Sequence, residues 1–229
     1  MTEYGIVVTL FMSGKNKNKD FFNEIIHSLL NKNVGVKLVN RHSREVYYAD
    51  GFFDCGNREI VCNITGPFDR WFPIFLHEYG HYLQWDEFCE EWQDVVDNNA
   101  YTVFFSWLKG DDNISKQEAH AACKKIRTLE QHCDNKVIDL IKKHDLNINI
   151  EQYAKQSNAY ISGYEFMKER RMLIYKIPKE VEKYFSGEKL LKRFPSAESK
   201  LKIFELFETS HQPKLPEETS HPLFDLFTD

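Results

Sequence analysis

Two periods of apolar and polar positions divide the chain. Tyr4 to Met12 is an apolar, partly β-branched run and predicts a strand. Ser13 to Asp20 is polar and predicts a loop. Phe22, Ile25, Ile26, Leu29 and Leu30 then recur at helical spacing, so 21–30 predicts an amphipathic helix. Val34, Val36 and Leu38 alternate over 34–40, a strand pattern. Residues 46–53 and 59–65 are two further strands, separated by Asp54-Cys55-Gly56-Asn57, which carries hairpin turn chemistry.

After residue 67 the period is helical. Phe68 to Trp85 predicts a helix; Pro73 is tolerated only in a first turn, which sets the start near Trp71 or Phe72. Asp97 to Leu108 predicts another, closed by Gly110. Ser115 and Glu118 form an S-x-x-E capping box, opening a long helix that runs to about His144. Asn149 caps a further helix, to about Tyr175 and before Pro178. Beyond 178, prolines at 213, 216 and 222 and two copies of Glu-Thr-Ser-His (208–211 and 218–221) read as a weakly ordered tail. The fold class expected is α+β: a small mixed β-sheet packed against helices, as one domain over 1–176 with a partly irregular C-terminal extension over 177–229.

Composition narrows the function classes. The chain carries 35 acidic and 30 basic side chains, a formal net charge of -5, which disfavours general nucleic-acid binding. The short basic runs at 15–19 and 168–171 read as solvated faces. No apolar stretch is long enough to span a bilayer, and no basic region precedes the first apolar run, so neither membrane partner nor signal peptide is expected and the localisation expected is cytoplasmic. The five cysteines (55, 62, 89, 123 and 133) include no CxxC pair. They read as reduced, mostly buried thiols rather than a disulfide framework or a four-cysteine zinc site.

The segment that carries chemistry is Ile74-Phe75-Leu76-His77-Glu78-Tyr79-Gly80-His81. In its His77-Glu78-x-x-His81, the two imidazoles lie one helical turn apart on one face, where both can bind a single Zn²⁺. Glu78 follows the first ligand and is placed as a general base acting on water. The bland alternative is two histidines that only hydrogen-bond on a half-buried helix.

A catalytic zinc needs a third protein ligand and an open position. Gln84 and Glu87 stand where a metzincin requires Gly and His, and the Gly-Thr-x-Asp setting of an aspzincin is absent. Glu130-x-x-x-Asp134 fits better. On a helical wheel Cys123, Ile126, Glu130, Asp134, Val137 and Ile141 share one face, apolar but for the two carboxylates. Carboxylates on a buried stripe need a cation or strong donors. Glu130 is thus the candidate third ligand, with Asp134 accepting an N–H from a ligand histidine. The alternative is a surface Glu and Asp on a helix whose core face is Leu129, Ile138 and Leu140.

His77-Glu78-x-x-His81 followed by Glu130-x-x-x-Asp134 resembles the gluzincin-type zincin metallopeptidases. Its compact strand-then-helix setting is similar to the small ImmA/IrrE-like and phage-encoded members, over roughly residues 59–145. The resemblance implies a zincin-like core made by the HExxH helix and a second ligand helix, with one zinc per chain. It also implies hydrolysis of peptide bonds in a peptide or protein substrate, and an edge strand beside the site, assigned to Glu59 to Thr65. The alternative is a non-enzymatic or virion-associated interaction module that retains a zinc.

Residues 86–115 read as an insertion rich in aromatics and acids, taken as an extra packing helix rather than a lid. His120, His132 and His144 are alternative ligands, although His132, two residues from Glu130, points to another side of its helix. Tyr160 and Tyr164, four apart, are candidate oxyanion stabilisers or simple packing partners. Cys133, in an apolar setting, lacks the electropositive surroundings of a nucleophilic thiol.

Overall fold

The computed structural model describes residues 16–39, 50–174, 176–191 and 193–210. The strand expected over 4–12, the first residues of that over 46–53, and most of the proline-rich tail lie outside them. The described residues form seven α-helices, one 3-10 helix and three strands. They divide into two compact units, one of the residues up to Glu87 plus Lys136–Ile148, the other of Phe88–Asn135 plus those from Asn149 onward. The α+β class is thus found, with a small mixed sheet.

In the first unit, α1 (Lys17–Asn31) starts within the segment expected to be loop. The Asn16 side chain caps it by accepting the Asn18 N–H at 3.0 Å. Asn18 is polar but buried, and its amide exchanges two bonds with the Asn147 backbone, at 3.1 and 2.8 Å. Polarity marked this turn as loop; local hydrogen bonding makes it helix.

Strands β1 (Gly35–Val39), β2 (Gly51–Asp54) and β3 (Glu59–Asn63) form a sheet in the order β1-β3-β2. The expected hairpin is present: β2 and β3 pair antiparallel, and Asp54 accepts the Asn57 N–H at 2.9 Å in the turn. The expectation of an edge strand at Glu59 to Thr65 is corrected. β3 is the central strand, parallel to β1 on one side and antiparallel to β2 on the other. Ile60, Val61 and Cys62 are all buried, an unbroken apolar run that suits a strand covered on both faces.

Helix α2 (Phe68–Asp86) carries the HExxH motif. It starts three residues before Trp71, leaving Pro73 in its second turn rather than its first. Proline there removes the donor to the Asp69 carbonyl, a defect of about 3 kcal/mol in a helix interior. Aromatic packing offsets it: Phe22 of α1 meets Phe68, Trp71, Phe72 and Phe75 edge-on at 4.8–6.2 Å between centroids. At the other end Phe53 of β2 packs against Tyr82 and Trp85. The helix is thereby held at both ends of its apolar face.

In the second unit the expected single helix over 97–108 is two, α3 (Glu90–Asp97) and α4 (Ala100–Leu108). Asn99, in the left-handed region at φ 46°, breaks them. Helix α5 (Lys116–Lys143) opens on the predicted capping box: Ser115 N–H donates to Glu118 at 2.8 Å, and Glu118 N–H to Ser115 Oγ at 3.2 Å. Its residues 116–135 belong to the second unit and 136–143 to the first. Helix α6 (Ile150–Arg170) is capped by Asn149 as expected, but ends at Arg171, φ 49°, short of Tyr175.

Residues 179–184 form the 3-10 helix and Ala197–Thr209 form α7. This part of the extension beyond 177 is ordered: Val181, Phe185, Ile203, Phe204 and Phe207 make a core with Ala159 and Phe166 of α6. The first Glu-Thr-Ser-His copy begins inside α7, where Glu208 pairs with Arg170 at 2.6 Å.

Candidate metal centre

His77, Glu78 and His81 lie within α2, where one turn separates the two histidines. Their Nε2 atoms face each other at 3.1 Å. Two ligands on a tetrahedral zinc with Zn–N of 2.0–2.1 Å lie roughly 3.3 Å apart, so the pair already stands at the spacing of a shared ion. His81 Nδ1 donates to Gln84 Oε1 at 2.8 Å. That bond puts the proton on Nδ1 and leaves the Nε2 lone pair directed toward His77. Gln84 is fully buried on an otherwise apolar stretch of helix. It does for His81 what was expected of Asp134. The motif did not point to it, yet a lone amide on the buried face, three residues after the second His, was the available signal.

Glu78 is buried against the sheet. A Cβ added at Gly51 of β2 would lie 3.0 Å from Glu78 Cγ, 3.1 Å from the Val61 carbonyl and 3.2 Å from Ile74 Cγ2. Glycine at 51 is what lets the carboxylate stem lie this close to the strand. Burial pushes the nearby Cys62 thiol upward, and the Glu78 and Asp50 charges push it further, so it stays protonated.

Glu130 and Asp134 belong to the second unit. They are 3% and 1% exposed, which rules out a surface-facing pair, and the whole predicted face from Cys123 to Ile141 is buried. Glu130 Oε1 accepts the Tyr101 hydroxyl at 3.0 Å and the Tyr164 hydroxyl at 3.4 Å. Tyr160 and Tyr164 hydroxyls are 3.1 Å apart, so these tyrosines both pack and form a hydrogen-bonded chain. Burial, then Tyr160, Glu130 and Tyr101, raise Tyr164 well above its ordinary value and keep it a donor. Asp134 accepts the Tyr153 hydroxyl at 2.6 Å. The 86–115 segment is core-forming in this unit: Trp92, Val95, Phe104 and Trp107 are buried, and α4 supplies the Tyr101 hydroxyl.

The alternative histidine ligands have other settings. His120 meets Trp107 edge-on, and His144 stacks on Phe21 at 4.0 Å. His132 faces Glu91 and Cys89. Cys133 is buried. No described helix is long and apolar enough to cross a membrane.

Neither family models, nor curated proteins, nor solved structures give a match to this chain.

Proposed function

We propose that the chain is a zinc-dependent metallopeptidase of the gluzincin type, with His77, His81 and Glu130 as metal ligands. The observation that carries this reading is the His77–His81 pair, its Nε2 atoms 3.1 Å apart and one ring fixed by Gln84. The donor set, two imidazoles and a carboxylate, suits zinc with one position left for substrate or water. Bound there, zinc supplies Lewis-acid polarisation of a carbonyl and acidification of water.

The chain's own groups have separate tasks. Gln84 holds His81 in the tautomer that offers Nε2. Glu78, adjacent to the first ligand, takes a proton from the attacking water and returns it to the leaving amine. Tyr101 and Tyr164, donating to Glu130 Oε1, orient the carboxylate of the third ligand.

The test is metal content joined to turnover on an unstructured protein substrate. One zinc per chain is expected at this centre in wild type, and zinc content is expected to fall by one per chain in His77→Ala and in Glu130→Ala. Glu78→Gln is expected to keep zinc while turnover falls by about 10²–10⁴-fold. Undiminished cleavage by Glu78→Gln overturns the mechanism. Zinc content undiminished from wild type in Glu130→Ala overturns the third ligand. Stoichiometric zinc with no cleavage favours the interaction module.

A further inference from the structure

Cys89, Glu91 and His132 take no part in the centre proposed above. Cys89 is the N-cap of α3, in extended backbone at φ -65° and ψ 155°, and Glu91 lies in the first turn of the same helix. His132 comes from α5. Two residues from Glu130, it projects about 200° around the helix from that carboxylate. His132 Nδ1 is 3.6 Å from Cys89 Sγ and 3.3 Å from Glu91 Oε2. All three ligand atoms lie within 4.8 Å of one another, and all three residues are partly exposed.

These spacings match the edges of a coordination tetrahedron. With Zn–S of about 2.3 Å and Zn–N or Zn–O of about 2.0–2.1 Å, a sulfur and a nitrogen ligand lie roughly 3.5 Å apart, and a nitrogen and an oxygen roughly 3.3 Å. Both observed distances fall within about 0.1 Å of those edges. An ion pair of His132 with Glu91 accounts for one of the contacts. It does not account for a thiol brought to the same imidazole nitrogen from the residue that starts the helix.

We propose that Cys89, Glu91 and His132 form a second metal site, for a divalent thiophilic cation of the zinc class. Thiolate, imidazole and carboxylate together select against magnesium and calcium, which prefer all-oxygen shells. On binding, the Cys89 thiol passes its proton to solvent and becomes the thiolate ligand. The fourth position faces solvent and takes water. The bound ion ties the start of α3 to the middle of α5 within the second unit. This site does not depend on the peptidase reading.

Cobalt alone is the probe, titrated into metal-free full-length protein. A thiolate-to-cobalt charge-transfer band in the near ultraviolet reports a sulfur ligand, and its dependence on Cys89 and His132 assigns it to this site. The band is expected in wild type and in His81→Ala, and is expected to vanish in Cys89→Ser and in His132→Gln, with the far-ultraviolet dichroism of each variant checked first. No band in wild type overturns the proposal. A band of full intensity in Cys89→Ser, or in a folded His132→Gln, overturns it as well.

Discussion

At the scale of single residues, Gly51 is the position where one methyl group reaches the proposed base. The Val61 carbonyl at 3.1 Å cannot move aside without breaking the sheet, so an added Cβ displaces the Glu78 stem, 3.0 Å away, and Ile74. Gly51→Ala is expected to lower the thermal midpoint and turnover while zinc content stays at the wild-type level. A destabilisation of about 1–3 kcal/mol is the ordinary scale for such overpacking. Gly56→Ala is the control, since an added Cβ there meets only Asp54 Oδ1, at an ordinary 3.4 Å. Equal turnover in the two variants would show that Gly51 is not what positions Glu78. The HExxH pair was legible in the sequence because its geometry is local, residues i and i+4 of one helix. Gly51 was not, because the contact that demands glycine comes from a residue 27 positions later in the chain, Glu78.

At the scale of elements, the capping box of α5 has a pH signature. The Ser115 hydroxyl, then its N–H, hold the Glu118 carboxyl below its ordinary 4.5. A carboxyl depressed in the folded state contributes stability that is complete above 4.5 and is lost as pH falls through the lower folded value. Ser115→Ala is therefore expected to lower the thermal midpoint at neutral pH and to flatten its decline below pH 4.5. A decline as steep as wild type would remove Glu118 from the acid response. Local signals of this kind made α5, the β2–β3 hairpin and the Asn149 cap of α6 legible. Other features depend on distant partners. β3 pairs on both sides, with strands whose order along the chain says nothing of which lies between them. The break between α3 and α4 needs Asn99 in a conformation that glycine more often signals. Residues 197–209 were hidden by the prolines that follow, although Ile203, Phe204 and Phe207 form a helical stripe that Phe166 and Val181 cover.

At the scale of the molecule, the two units interleave along the chain, each built from two separate stretches, and α5 contributes residues to both. Each unit carries buried thiols, Cys62 in the first and Cys123 and Cys133 in the second, all fully buried. Burial raises the Cys62 and Cys123 thiols, and pushes Cys123 up to about 12. Each unit also carries a partly exposed one, Cys55 and Cys89 respectively. Alkylation needs access and a thiolate, so at neutral pH Cys62 and Cys123 react only through opening of the structure. Native-state labelling followed by mass spectrometry is expected to modify Cys55 and Cys89 first and to leave Cys62 and Cys123 protected. Modification of Cys62 as fast as Cys55 would contradict the burial. Cys62 and Cys123 amount to two clocks already wired into the chain, and the order in which they run in rising denaturant tells which half of the protein lets go first.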